Sequence, residues 1–140
     1  MTLFLEISRT TEFLDNAVLA WGLAACGIAQ LSKIFVELLL YQRWRPSVLF
    51  ETGGMPSSHA ALVTGTTACI GWTAGFNDPI FALAATIAFI VMYDASGIRR
   101  AAGLTSTQLN KLPKDLWDKP PEKPLKENLG HTRLQVLIGS

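Results

Sequence analysis

Only two histidines, His59 and His131, occur in this 140-residue chain, and each closes a short stretch of small and polar residues that leads into an apolar run. The first stretch is Gly53-Gly54-Met55-Pro56-Ser57-Ser58-His59, directly ahead of Ala60. Two glycines let backbone amides come close to a ligand, Pro56 fixes the turn, and Ser57 or Ser58 suits a helix N-cap. A helix starting here would aim unpaired N–H groups, the positive end of its dipole and two hydroxyls at one point. That geometry suits an oxyanion such as phosphate. His59 could then move a proton beside the anion. The same residues also describe a serine-capped helix whose histidine merely sits at a membrane interface. The second stretch, Gly130-His131-Thr132, precedes Leu134, Val136, Leu137 and Ile138 in the same way. If both imidazoles face one phosphate, one nitrogen can attack phosphorus and the other can protonate the departing oxygen, while cations hold the equatorial oxygens.

The elements that must position these residues are membrane helices. Hydrophobic residues make up 49% of the chain and charged residues 16%, and the mean hydropathy is +0.29. This length and composition describe one domain, residues 1–140, in a small integral membrane protein. The formal net charge of +1 excludes a strongly basic nucleic-acid binder, and no basic stripe interleaved with aromatics occurs. Cys26 and Cys69 lie inside apolar runs without C-x-x-C spacing, as packing residues do. Met1 to Ile7 lacks a basic n-region, so residues 1–12 read as an interfacial segment and not as a secretory signal.

No charge occurs from Asn16 to Ser32, and the apolar pattern resumes after Lys33, giving a first span. Lys33 and Glu37 share a helical face and could pair weakly there, although an ionisable residue near membrane depth is also a functional candidate. Gln42 to Gly54 is polar and aromatic, with Arg43, Trp44 and Arg45 suited to anchoring a span end. The second segment, Ala60 to Phe76, is uncharged and rich in glycine and alanine, which lets membrane helices pack closely. Gly75-Phe76-Asn77-Asp78-Pro79 reads as a turn into a third span from Ile80 to Tyr93. That span continues toward a charged cluster of Asp94, Arg99 and Arg100, which can tie the helix end to its neighbours; burying these charges unpaired would be costly. Residues 104–129, with Pro113, Pro120, Pro121 and Pro124, read as a soluble loop. The fold class is therefore all-α, a membrane bundle of three spans plus the start of a fourth helix. Alternating spans put Lys33, Arg43, Arg45, the Gly53–His59 turn, Asp94, Arg99, Arg100 and His131 on one side. Arg9 is the single cation on the amino-terminal side, and the other eleven of the 12 Lys and Arg lie on the motif side. By the positive-inside rule the motif face is then cytoplasmic and the amino terminus exoplasmic.

Three stretches in this order, Gly53-Gly54-Met55-Pro56-Ser57-Ser58-His59-Ala60, Val91-Met92-Tyr93-Asp94-Ala95-Ser96-Gly97-Ile98-Arg99-Arg100 and Leu129-Gly130-His131-Thr132, resemble the divergent branch of the type 2 phosphatidic acid phosphatase superfamily. That superfamily is related to acid phosphatases and vanadium-dependent haloperoxidases. The resemblance implies an all-α membrane phosphatase that needs no metal or other cofactor and attacks a lipid or polyprenyl phosphate or diphosphate through a phosphohistidine. It implies His131 as nucleophile and His59 as general acid. Lys33, Gly54, Ser57 and Ser58 would form the phosphate cradle, and Arg45 and Lys126 would be its weaker matches.

The departures from the family pattern also bear on function. Arg45-Pro46 stands further from Lys33 than the family's first motif has it, and the arginine expected before the nucleophile is replaced by Leu125, with Lys126 one place later. Gln135 occupies the position of the acid that orients the nucleophilic imidazole. Glutamine can accept a ring N–H but cannot stabilise an imidazolium by charge, and loss of the orienting carboxylate lowers turnover by about 10⁴ in the Ser-His-Asp template. Two further readings follow: a catalytically weakened accessory or scaffold subunit of a membrane complex, and a lipid-headgroup binder without turnover.

Overall fold

Four of the five described helices start where the sequence supplies a side-chain cap. The Asn16 side chain accepts the Leu19 N–H at 3.0 Å and opens α1 (Ala17–Tyr41), which ends at Gln42 in the left-handed region. A 3₁₀ turn (Pro46–Phe50) follows. The Ser57 hydroxyl accepts the Ala60 N–H and opens α2 (Ser58–Thr73). Gly75, with φ +106°, makes the turn to Asp78, whose carboxylate accepts the Ile80 N–H at 2.7 Å and opens α3 (Pro79–Ser96). After Gly97 the chain continues as α4 (Ile98–Asn110). Thr132 and Gln135 form a capping box at the start of α5 (Arg133–Gly139). This computed structural model describes residues 15–50, 53–113, 116–117 and 121–140; the interfacial segment expected at residues 1–12 lies outside them.

The packing is inverted relative to a water-soluble domain. Among the described residues the buried apolar ones are Ala29, Val48, Ala60, Ala61, Ala88, Ala95 and Val136, whereas Trp72 is 86% exposed, Leu39 77% and Phe89 72%. Burying a large apolar side chain from water is worth about 1.5–3 kcal/mol, so leaving this many outside fits a hydrocarbon solvent. At 25 residues α1 is about 38 Å long, against about 30 Å of hydrocarbon. The helical run Pro79–Asn110 is also long and apolar enough to cross, and only 11% of either apolar window is buried. Such helices are not the core of a soluble fold. The uncharged α2, at 16 residues about 24 Å long, lies between them.

Small residues set the helix crossings. A Cβ on Gly65 would lie 2.7 Å from the Ala25 side chain, and one on Gly22 would collide with Thr66. The backbones of α1 and α2 can therefore approach only because those side chains are missing. The C-terminal ends of α1 and α3 and the N-terminal end of α2 meet at one end of the bundle, where α5 docks on α2 and α3.

One expected boundary moves. Helix α4 runs to Asn110, into the stretch read from sequence as loop, because the first helix-stopping proline is Pro113 and not a residue nearer 104.

Candidate active site

His131 is held by its backbone. Its N–H donates to the Ala95 carbonyl at 2.9 Å, near the end of α3. The preceding Gly130 has φ +76° and packs directly on the backbone of Arg99 and Arg100. Further back, Asn110 clamps the incoming strand of chain: its amide nitrogen donates to the Leu125 carbonyl and to Glu127, and its oxygen accepts the Leu125 N–H. Between these points Gly103 lets the chain cross α4, since a Cβ there would sit 2.5 Å from the Glu127 carbonyl oxygen. Four residues of α3, α4 and the connecting segment thus fix where the imidazole lies.

The imidazole itself is 3% exposed, and neither ring nitrogen has a hydrogen-bond partner in geometric range. Burial holds its pKa below the ordinary 6.5, and the positive charge of Lys33 pushes it the same way; the Gly54 carbonyl opposes them, and the charges of His59 and Arg99 add smaller lowering effects. The ring is therefore neutral at pH 7, with a lone pair available.

His131 forms a wall shared by two spaces. On one side is an open cleft of about 420 Å³ lined by Lys33, Glu37, Arg43, Arg45, Gly53, Gly54, Arg100, Glu127, His131 and Gln135, among others. Its four Lys and Arg side chains outnumber its two carboxylates, so the cleft favours anions. Lys33 is only 1% exposed, and its stem packs under Gly54, 3.9 Å from where a Cβ on that residue would lie. Glu37 pairs with Arg45 at 3.4 Å. Beside this cleft is a small cavity of about 40 Å³ lined by His59, Val91, Ala95, Arg99, Leu129, Gly130 and His131, so Leu129, Gly130 and His131 border both spaces. Both histidines therefore border one space, which Arg99 lines as well.

Not every expected site residue is in these spaces. Ser57 and Ser58 are buried and line neither one. The Ser57 hydroxyl caps α2, and its N–H donates to the Gln135 carbonyl at 3.2 Å, so it ties α2 to α5 and does not face an anion. Gln135 borders the cleft, but its side-chain oxygen accepts the Thr132 N–H at 2.7 Å, closing the capping box instead of reaching His131. Lys126 is exposed and lines neither space. Asp94 stands outside both and forms a tight ion pair with Arg99. Sequence reasoning passed over Asn110, Gly103 and Glu127; a glycine and an asparagine on one helix were the only signals for the first two. Among the described residues no group of three or more metal-ligating side chains occurs.

A lipid-facing bundle of small-residue helices, with a histidine-walled cationic cleft at one end, defines a membrane protein whose polar site opens where the spans end. The family model described as the Divergent PAP2 family matches residues 14–140, and the chain belongs to that family. It is 36% identical to the "Uncharacterized membrane protein YuiD" of Bacillus subtilis (strain 168), over 91% of this chain and 89% of that protein. No solved structure matches the chain.

Proposed function

We propose that the protein is a membrane phosphatase that hydrolyses a lipid or polyprenyl phosphate or diphosphate through a phosphohistidine on His131. One observation carries this reading: a buried, neutral His131 with no side-chain partner at its ring nitrogens borders both an anion-favouring cleft and a cavity that the second histidine also lines. In the first step a His131 nitrogen bonds to phosphorus as the bond from phosphorus to the leaving oxygen breaks, and His59, held as the imidazolium beside the phosphate's negative charge, gives that oxygen its proton. In the second step water attacks phosphorus, the P–N bond breaks, His59 takes the proton from the water, and inorganic phosphate departs. Lys33, whose charge acts on both imidazoles, would hold the non-bridging oxygens, with Arg45 and the Gly54 backbone lining the adjoining cleft. The lipid tail stays in the bilayer, and the site faces the cytoplasm, in line with the eleven cations on that side.

The test is phosphate release by the purified protein from phosphatidate and polyprenyl phosphates in mixed micelles, beside His131→Ala and His59→Ala. Release that disappears in His131→Ala supports the reading. No release from any substrate, together with stable co-purification of other membrane subunits, would instead support an accessory subunit. The engagement of Gln135 in its own helix cap favours that alternative.

A further inference from the structure

The third family motif lacks its arginine, since Leu125 holds that place and Lys126 borders neither space. An arginine from elsewhere in the chain nevertheless stands beside the histidine pair, and its charge acts on both imidazoles. Arg99 lines the small cavity together with His59 and His131, whereas Arg100 borders only the cleft. The Arg99 charge is also among those felt at His131.

Arg99 is held in place in an unusual way. Its Nε donates to Asp94, five residues earlier. In an unbroken helix, residues three or four apart face each other and residues five apart diverge. The pair forms because the chain departs from helical geometry at Gly97, where φ is −108° and ψ is −83°. Its side chains are 53% and 31% exposed, and exposed ion pairs stabilise a fold by only about 0–1 kcal/mol. The consequence of this pair is therefore orientation. With Nε on Asp94, the two Nη groups carry no hydrogen bond among the described residues. They keep the flat fork that grips phosphate oxygens in two places.

We propose that Arg99, positioned by Asp94, binds the phosphoryl group at the histidine pair and supplies from the α3–α4 junction the guanidinium that the third motif lacks. This assignment rests on the reading of the His131 site as a phosphate site. It makes Asp94 a positioning residue that acts only through Arg99.

The test uses the full chain in detergent, with two readouts: binding of inorganic phosphate by calorimetry, and phosphate release from a lipid phosphate. Arg99→Ala is expected to lower kcat by roughly 10² or more, as removal of a transition-state donor does, and to weaken phosphate binding at least about tenfold. Arg99→Lys is expected to recover part of the binding and little of kcat, because it restores charge without the fork. Asp94→Asn is expected to cost about tenfold alone and nothing further in an Arg99→Ala background. Effects that multiply in the double variant would overturn the positioning role of Asp94. Wild-type binding and turnover in Arg99→Ala would overturn the assignment and leave the hydrolase reading standing. Phosphate binding that depends on Arg99 in a protein without turnover would leave the assignment standing and remove the hydrolase reading. A wild-type protein that neither binds phosphate nor releases it would overturn both. Should Arg99→Ala aggregate, Arg99→Lys and Asp94→Asn carry the same comparison.

Discussion

Gly130→Ala is the sharpest single perturbation of the site, because Gly130 is where the connecting segment sits on the α3–α4 junction. Its φ of +76° costs alanine about 1–2 kcal/mol. The added Cβ would also lie 2.7 Å from the carbonyl carbon of Arg99 and 2.8 Å from the Cα of Arg100. These are backbone atoms, so no rotamer change relieves the contact and the segment must lift. Lifting it breaks the bond from the His131 N–H to the Ala95 carbonyl, worth about 0.5–1.5 kcal/mol. The expected destabilisation is about 1.5–3.5 kcal/mol, and a nucleophile misplaced by about 1 Å loses on the order of 10²-fold in rate. Gly75→Ala is the matched control. Gly75 also has positive φ, +106°, but nothing lies within 4 Å of its missing Cβ. It should show the conformational cost alone, with turnover retained. Phosphate release at equal folded fraction and thermal unfolding in detergent would separate the two. Wild-type turnover in Gly130→Ala, or equal losses of turnover in both variants, would refute the proposition that this contact seats His131.

Three further outcomes are expected. Because burial and Lys33 lower the His131 pKa, the nucleophile stays neutral to pH values below 6.5, so the acid limb of kcat/KM should fall below that value; Lys33→Met removes a positive charge and should move the limb upward, which a pH–rate profile measures. Asn110→Leu removes three hydrogen bonds that hold the segment entering the site, and should cost about 2–3 kcal/mol in thermal unfolding while raising proteolysis between residues 111 and 130. Gln135→Glu keeps the capping box and adds negative charge at the start of a helix, so it should stabilise the fold by about 0.3–1 kcal/mol and raise turnover less than tenfold, since the side chain is committed to the Thr132 N–H. A gain in turnover well beyond tenfold would mean that position 135 reaches the imidazole after all.

Local features were legible in the residues themselves. Ser57 as a cap, the Gly75–Pro79 turn, the small-residue face of α2 and the two histidine stretches each depend on neighbours a few positions away. Contacts that arise only when distant segments meet were not legible. Ser57 carries the same hydroxyl whether it cradles phosphate or caps a helix, and the choice is decided by Gln135 and Gly139 arriving from the other end of the chain: a Cβ on Gly139 would lie 2.5 Å from the Ser57 carbonyl oxygen. Gln135 likewise reads as an orienting residue by its spacing from His131, yet Thr132, three residues before it, offers a nearer partner. The clamp at Asn110 and the crossing at Gly103 join residues 15 to 26 positions apart and leave no periodic trace.

The central claim, that His131 becomes covalently phosphorylated, is tested most directly by trapping. Protein mixed with a lipid phosphate, quenched in base during turnover and digested, should yield an acid-labile phosphoryl group on the peptide containing His131, absent from His131→Ala and accumulating in His59→Ala if the second step slows. Steady phosphate release with no phosphoryl group on His131, or with the group on His59, would contradict the account.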